Sequence, residues 1–350
     1  MEYISLDAHK RYSFVSVEEP TGAVLGEARI NHTQGAIRGY LGKWTRGSTV
    51  AVEATGNWYW IVDEIEQAGM VARLVHPRRA KMMLATTNKT DRLDCHGLNR
   101  LQRTGTLPTV WIPPAEIRDL RDLPRTRMML SRERTRLKNR IHATLAKYAL
   151  SVEGATDMFG KRGLEELQQK LLLLPAHTRF AVQSLLELLK LTQTHIEDFE
   201  KRMKEALASS KELELLQSLP GVGFILAAVI LLEVGDIRRF GSASQFCAYS
   251  GTTPRVHASG DKFRYGQLRS DVNRYLKWAF IEAANQVATT RSRKSSGHIR
   301  QLYVRIRKNK GHQKAAGAVA RHLAEATFYM LSKGVPYRDP GISGVSSTEG

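Results

Sequence analysis

The sequence predicts a multidomain protein in which an N-terminal α/β domain with a mixed sheet precedes mostly helical domains. Strand and helix patterns alternate over residues 1–112. From about Pro114 onward the strand patterns stop and helical spacing dominates. A length of 350 residues is enough for two or three domains, and a hydrophobic fraction of 42% is enough to give them buried cores.

The N-terminal segment shows the element order βββαβαβα. The strands are expected at residues 3–7, 12–17, 23–30, 49–52 and 71–75. Pro20-Thr21-Gly22 is typical of a hairpin turn between the second and third strands. The helices are expected at residues 33–44, 58–67 and 91–103. Three meandering strands followed by βα units indicate a mixed sheet covered by helices.

The rest of the chain divides into a helical or coiled-coil domain, a mostly helical C-terminal domain and a Gly- and Ser-rich tail expected to be disordered. With the first domain, the boundaries are 1–112, 113–214, 215–338 and 339–350. An apolar stripe at helical spacing fits either packing on a neighbouring helix or an oligomeric coiled coil. Its members are Val182, Leu185, Leu189, Ile196, Phe199, Met203 and Leu207.

The net charge of +19 predicts a polyanionic partner, and the clustering of the basic residues favours nucleic acid over a membrane surface. No run of eighteen apolar residues and no apolar N-terminal signal are present, so we expect a cytoplasmic protein. The only cysteines, Cys95 and Cys247, form neither a disulfide framework nor a zinc motif. We expect both thiols to be reduced and structural.

Four acids stand at positions where they could converge. Asp7 ends the first strand, Glu53 ends the fourth, and Asp91 and Asp94 share one face of the helix at 91–103. Converging carboxylates repel one another unless a cation joins them. Mg²⁺ is the expected ion, with Mn²⁺ as an alternative, because it takes oxygen ligands and keeps positions open for phosphate and water.

Each acid also has a plain structural interpretation. Asp91 could cap its helix, and Asp94 could pair with Arg92 or Arg100. The two strand-end acids are harder to explain in this way, because each follows an apolar strand where burial without a partner is costly.

Basic residues cluster beside these acids and in three later stretches, at about residues 116–148, 255–264 and 283–324. The segment from Ala283 to Ala324 contains ten Lys or Arg and no Asp or Glu, which a balanced solvated surface does not explain. A second basic stretch is the helix expected at residues 116–148. The candidate nucleic-acid contacts are Lys10, Arg78, Arg79, Lys89, Arg134, Arg136, Arg255, Lys262, Arg264, Arg305, Arg307, Lys308 and Lys310.

Ser259 is flanked by glycine in a basic segment that we expect to be a loop. A serine there could bind or attack a phosphate, with His257 or a metal taking its proton, or it could be an ordinary loop serine. Leu219–Gly223 is similar to a helix-hairpin-helix turn, whose glycines expose backbone N–H groups to DNA phosphates. An ordinary turn between helices is the alternative.

These motifs, taken in order, resemble those of the DEDD transposases of bacterial insertion sequences, the bridge-RNA-guided recombinases. In the N-terminal half the matching motifs are Leu6-Asp7, Val52-Glu53-Ala54-Thr55-Gly56, His76-Pro77 and Asn88-Lys89-Thr90-Asp91-Arg92-Leu93-Asp94. In the C-terminal half they are Leu219-Pro220-Gly221-Val222-Gly223, Glu233-Val234-Gly235-Asp236, Arg239-Phe240, Ala248-Tyr249-Ser250-Gly251, Pro254 and Ser259-Gly260. The resemblance extends from about residue 3 to residue 337. The family's Lys-x-Gly downstream of the serine is absent, and Arg269-Ser270-Asp271-Val272-Asn273 stands there instead.

The resemblance implies a ribonuclease-H-like N-terminal domain similar to that of RuvC-type junction resolvases. By the same resemblance, Asp7, Glu53, Asp91 and Asp94 would carry Mg²⁺ and Ser259 would be the nucleophile. A structured non-coding RNA would pair with target and donor DNA, and a tetramer, as a dimer of dimers, would act in the bacterial cytoplasm near the nucleoid.

The sequence therefore predicts a DNA transposase or recombinase that cuts and rejoins strands through a phosphoserine. Two alternatives remain open at this point. One is a metal-dependent RuvC-like nuclease or junction resolvase that hydrolyses DNA without a covalent intermediate. The other is a non-catalytic nucleic-acid-binding protein.

Overall fold

The computed structural model describes residues 1–84, 90–260, 262–289 and 297–340. The chain forms two compact units, Met1–Pro113 and Pro114–Gly350. Lys89 and the predicted tail beyond residue 340 lie outside the described residues.

The first unit is built on a five-stranded mixed sheet. Its strands are β1 (Tyr3–Ala8), β2 (Tyr12–Glu18), β3 (Val24–Asn31), β4 (Thr49–Glu53) and β5 (Val71–Val75). Their spatial order is β3-β2-β1-β4-β5. The first three strands pair antiparallel, whereas β4 lies parallel to both β1 and β5. The predicted mixed sheet is confirmed.

Helices cover both faces of this sheet. They are α1 (Ala36–Leu41), α2 (Trp58–Gln67), α3 (Pro77–Leu84) and α4 (Asp91–Arg103). Alternate residues of β1, Ile4 and Leu6, are buried in the apolar cluster that α1 and α2 close. The intervening Ser5 donates to the carbonyl of Cys95 in α4. Because successive side chains of a strand point to opposite faces, Asp7 also lies on the α4 side.

The second unit contains α5 (Ala115–Ala146), α6 (Lys161–Leu171), α7 (Ala176–Ala206), α8 (Lys211–Gln217), α9 (Phe224–Val234), α10 (Ala243–Tyr249), α11 (Arg274–Thr289) and α12 (His298–Lys333). The long helix α12 is interrupted at Gly311, whose φ of 78° is not helical. One apolar cluster joins α5, α6 and the first half of α7, and a larger one joins α8 to α12.

The apolar stripe of α7 packs inside the chain. Val182 and Leu189 are buried in the first cluster, and Met203 and Leu207 are buried in the second. These contacts correspond to the first interpretation of the stripe, in which it packs on neighbouring helices of the same chain. A coiled coil between copies of the chain stays a prediction.

The second unit also contains a two-stranded hairpin, β6 (Pro254–Ser259) and β7 (Lys262–Leu268). The expectation that strands stop after Pro114 is therefore wrong. The segment carrying Ser259 is a β-ribbon and not an irregular loop. The residues alternate between polar and apolar along both strands, but Val256 and Tyr265 are exposed, so this alternation does not mark a face buried in a core.

Candidate active site

The ends of β1 and β4 place two of the predicted acids side by side. The parallel register pairs Leu6 with Val52, so the next residues, Asp7 and Glu53, are neighbours at the carboxyl edge of the sheet. Ala51 packs in the cluster on the α3 and α4 side, and Glu53, two residues later, lies on that same face. Both strand-end acids therefore face the side of the sheet that α4 covers.

The other two predicted acids lie in the first turn of α4. Thr90 caps this helix, its hydroxyl accepting from the N–H of Leu93 at 3.2 Å, so Asp91 is not the capping residue. Arg92 pairs with Glu27 at 2.8 Å, which removes one of the two arginines suggested as partners of Asp94. Both structural alternatives lose support, and the two carboxylates sit where the helix dipole favours negative charge.

Cys95 connects these acids through electrostatics. Burial, together with the negative charges of Asp7 and Asp94, raises the pKa of its thiol to about 12. Two acids from different elements thus lie close enough to influence one thiol. The prediction that Cys95 is a buried, reduced, structural residue fits this position.

His9 is a functional candidate that the sequence analysis missed. Its Nε2 lies 3.3 Å from Oδ2 of Asp7 and 3.2 Å from Oδ2 of Asp91. Neither contact has hydrogen-bond geometry, and this nitrogen is buried with no hydrogen-bond partner. The three side chains form a group that could hold a metal ion, with ligand atoms within 4.8 Å of one another. The signal available in the sequence was the spacing of His9 two residues after Asp7, on the same face of an extended chain.

The donor atoms at this edge fit a divalent cation. Carboxylate oxygens and an imidazole nitrogen are ordinary ligands of such ions, and a buried nitrogen aimed between two carboxylates lacks any other partner. Of the four predicted acids, Asp7 and Asp91 belong to this group of ligand atoms, and Glu53 and Asp94 do not. Tyr12 donates to Asp91 at 3.1 Å, and this hydrogen bond raises the pKa of the Tyr12 hydroxyl.

The predicted basic contacts of the first unit lie on its surface. Lys10, directly after His9, is exposed, and so are Arg78 and Arg79 at the start of α3. Their exposure leaves them available to a phosphate backbone.

In the second unit, Ser259 ends β6 and pairs with Lys262 across the hairpin. The register places His257 opposite Arg264, so these side chains and Ser259 share one face of the ribbon. Arg255 lies on this face as well, because its Cβ and the ring of His257 approach Gly266 from the same side. Ser259 is exposed, and Gly260 takes a positive φ of 55° directly after it. The serine hydroxyl therefore stands on a cationic surface that suits a phosphate group.

Neighbouring serines have other roles in the structure. Ser242 caps α10, and Ser250 is buried with its hydroxyl on the carbonyl of Cys247. Ser270 accepts a hydrogen bond from Arg255 at 3.0 Å. Ser259 differs from Ser250 in being exposed, and from Ser270 in lying on the ribbon face that carries His257 and Arg264.

The base of the hairpin is tied to the helical core. Lys277 donates to the carbonyl of Arg269 at 2.7 Å, just after β7 ends. Asn273 accepts from the first N–H groups of α11 and donates to the buried carboxylate of Glu233 at 2.8 Å. Arg125 of α5 holds the same carboxylate with two hydrogen bonds of 2.7 and 3.0 Å. These contacts fix the end of the hairpin on α5, α9 and α11.

The segment Leu219–Gly223 is a turn between α8 and α9. Gly221 has a φ of 79°, and a Cβ there would lie 2.3 Å from the carbonyl oxygen of Ala283 in α11. A Cβ at Gly223 would meet no atom within 4 Å, and Gly223 is exposed. The first glycine is therefore required by packing, whereas the second leaves its backbone accessible.

The basic helices α5 and α12 differ in how their charges are used. Arg134 binds Gln193 at 2.9 Å, and Arg136 pairs with Glu133 at 2.7 Å, so the two candidates on α5 have local partners. Arg305, Arg307, Lys308 and Lys310 on α12 are exposed, and no ion pair joins them to an acid among the described residues. Among all the residues that the structure describes, no helix has the length and apolar composition needed to cross a membrane.

Comparisons with known proteins match both units. A family model for DEDD transposases of the IS110 type, described as Transposase, matches residues 4–150. A model described as Transposase IS116/IS110/IS902 family matches residues 213–303. The chain is thus a DNA transposase, an enzyme acting on DNA. It belongs to the IS110-type transposase family, and the fold agrees with the ribonuclease-H-like class expected for DEDD transposases.

Curated relatives agree along most of their length. The chain is 25% identical over 83% of its length to the "Probable family 20 transposase" of Pseudomonas aeruginosa, covering 86% of that protein. It is 27% identical over 83% of its length to the "Transposase for insertion sequence element IS1111A" of Coxiella burnetii, covering 79% of it. The chain is also 23% identical to the "Transposase for insertion sequence element IS1328" of Yersinia enterocolitica, over 95% of this chain and 98% of the length of that transposase.

Proposed function

We propose that this transposase cuts and rejoins DNA through a covalent phosphoserine at Ser259, with Mg²⁺ held by Asp7, Glu53, Asp91 and Asp94. The observation that carries the proposal is that Asp7, at the end of β1, and Asp91, at the start of α4, bring carboxylate oxygens and His9 within 4.8 Å of one another. Glu53 ends the neighbouring strand, and Asp94 lies in the same helical turn as Asp91, which supports them as further ligands. Such a gathering is costly without a cation, and a DEDD transposase uses it on phosphodiesters.

The proposed cleavage step exchanges one phosphate ester bond for another at Ser259. Ser259 Oγ forms a bond to phosphorus, the bond from phosphorus to one deoxyribose oxygen breaks, and that oxygen leaves as a hydroxyl after taking a proton. The serine proton passes to His257, to a carboxylate or to water. A bound divalent cation would lower the pKa of the attacking hydroxyl and stabilise charge on the transferring phosphoryl group. Attack by a free strand hydroxyl on the phosphoserine reverses the step and rejoins the DNA.

The residues around Ser259 bind and orient the scissile phosphate in this proposal. Arg255, Lys262 and Arg264 supply positive charge on the face of the hydroxyl, which offsets the charge of the phosphodiester. The hydroxyl of Ser259 must act on the same phosphodiester as the carboxylates, whether they come from one chain or from two copies.

We further propose that DNA choice depends on a structured non-coding RNA and that a homotetramer, a dimer of dimers, works in the bacterial cytoplasm at the nucleoid. The net charge of +19 and the exposed cations of α12 support a second polyanion besides the DNA. Strand exchange needs several cuts and hence several active sites. In this proposal residues 113–214 form the helical linker domain and residues 215–338 form the serine-bearing domain.

A metal-dependent nuclease or junction resolvase is the second candidate, because the carboxylate edge lies entirely within one compact unit. The two functions separate in an assay with end-labelled DNA, the element's RNA and Mg²⁺. The proposal predicts a denaturation-resistant protein–DNA adduct that is lost in Ser259→Ala and in Asp7→Ala and kept in Ser270→Ala. Hydrolysis at a normal rate by Ser259→Ala, with Asp7→Ala inactive, would establish the nuclease instead.

A further inference from the structure

The imidazole of His9 points into the carboxylate edge. His9 follows β1 directly, and its Nε2 approaches Oδ2 of Asp7 and Oδ2 of Asp91 to 3.3 and 3.2 Å. The nitrogen is closed off from solvent and has no hydrogen-bond partner, although the ring as a whole is 38% exposed. A buried polar atom without a partner is costly, so this position needs an explanation.

Neighbouring groups hold the backbone of His9 in place. Asn57 donates to the His9 carbonyl at 2.9 Å, and Thr55, two residues after Glu53, donates to the Asn57 side chain at 2.9 Å. The His9 N–H donates to the Tyr12 carbonyl at 2.9 Å, and the two rings contact in a tilted arrangement with centroids 4.6 Å apart. The loop after β4 and the start of β2 therefore fix His9 from two sides.

The spacing of the three ligand atoms suits a common cation. Two ligands about 2.1 Å from one ion, at angles between octahedral and tetrahedral, are about 3.0 to 3.4 Å apart. Both contacts of His9 Nε2 fall in this interval. Asn57 and Tyr12 bond to the main chain of His9 and so keep its backbone beside these carboxylates.

We infer that His9 is a direct metal ligand of this site and that the site consequently prefers a first-row transition ion such as Mn²⁺ to Mg²⁺. The inference rests on the metal site of the proposed function and adds a nitrogen ligand to its four acids. Mg²⁺ is bound almost entirely through oxygen, whereas imidazole nitrogen adds affinity for ions further along the Irving–Williams order. His9 thereby determines which cation the acids select.

The test uses the full-length protein and Mn²⁺ alone. Electron spin-echo envelope modulation on bound Mn²⁺ reports a directly coordinated imidazole nitrogen, and titration calorimetry gives the Kd for Mn²⁺ and for Mg²⁺. The variants are His9→Gln, His9→Asn and, as the control, His32→Gln. His32 is a suitable control because it lies in the same unit and binds Ser13 at 2.8 Å. Thermal melts establish that each variant is folded.

The inference predicts a nitrogen modulation in the wild-type protein and in His32→Gln that both His9 variants lose. The Kd for Mn²⁺ should rise by about tenfold or more in the His9 variants, and the Kd for Mg²⁺ should change less. Mn²⁺ bound in an Asp7-dependent way, with no nitrogen modulation or with one that survives His9→Gln, would overturn the inference and leave the carboxylate site intact. Wild-type protein that binds no Mn²⁺ in an Asp7-dependent way would overturn the metal site itself.

Discussion

The exposed cations of α12 allow a quantitative prediction about nucleic-acid binding. Lys308 and Arg305 follow the exposed residues Val304 and Gln301 by four positions, so both project away from the core. Arg307 lies at the boundary, its guanidinium 6.0 Å from the Tyr303 ring centroid.

Lys310 occupies a different position on the same helix. It is exposed like the other three, but it follows the buried Tyr303 by seven residues, so it leaves the helix on the side of that buried residue. A phosphate backbone along the outer face of α12 would therefore meet two or three of the four cations. Lys310→Gln serves as a control that removes one charge from the side of the helix next to Tyr303.

Counterion release relates the number of phosphate contacts to the slope of log K against the logarithm of the salt concentration. Each lost phosphate contact lowers the dependence of log K on log salt by about 0.7 for single strands and about 0.9 for duplex DNA. Two contacts at the lower value and three at the higher one give a decrease of about 1.4 to 2.7 in Arg305→Gln/Arg307→Gln/Lys308→Gln. Fluorescence anisotropy with labelled DNA and RNA, between about 50 and 200 mM salt, measures it.

A wild-type slope in the triple variant would refute phosphate contact by these cations, because they would then face solvent or protein. A decrease in Lys310→Gln alone as large as that in the triple variant would also refute it. A uniform loss of affinity across unrelated DNA sequences is expected, since phosphate contacts carry no base information.

Three further predictions concern the fold around the site. Gly221→Ala should destabilise the protein by more than about 1 kcal/mol in urea unfolding, because of its positive φ and the nearby α11 carbonyl, while Gly223→Ala should change little. Glu233→Ala should lower the free energy of unfolding by about 3–5 kcal/mol, because the side chains of Arg125 and Asn273 would lose the buried carboxylate to which they donate. An unchanged urea midpoint would refute that role. Because the folded protein holds the Cys95 pKa near 12, the thiolate forms first in the unfolded chain. Stability should therefore fall as pH rises above about 9, by up to about 1.4 kcal/mol per pH unit, and Cys95→Ala should reduce that slope.

The N-terminal sheet could be predicted closely from the sequence. The helix bounds 58–67 and 91–103 and the strand 71–75 agree with the structure to the residue. Their apolar periodicity is strong because each element packs one face on a sheet. The first helix is shorter than predicted and begins at Ala36, and α3 was not predicted, because Ala80 is its one fully buried residue.

The serine hairpin and His9 were harder to predict, each for a physical reason. The ribbon leaves Val256 and Tyr265 exposed, at 51% and 74%, so its alternation is not tied to a core. The Gly260-Asp261 pair between two alternating runs was nevertheless a hairpin signal. A histidine near an acid has many structural uses, and its role depends on Asp91, which lies far away along the chain.

Peptide mapping of the trapped protein–DNA adduct tests the central claim most directly. After nuclease digestion of the DNA and proteolysis of the protein, tandem mass spectrometry locates the residue that carries the phosphodeoxynucleotide. The account predicts the modification on Ser259 and its disappearance in Ser259→Ala, with Ser270 unmodified in both proteins. A modification on any other residue, or DNA cleavage at full rate with no modified peptide, would contradict the account.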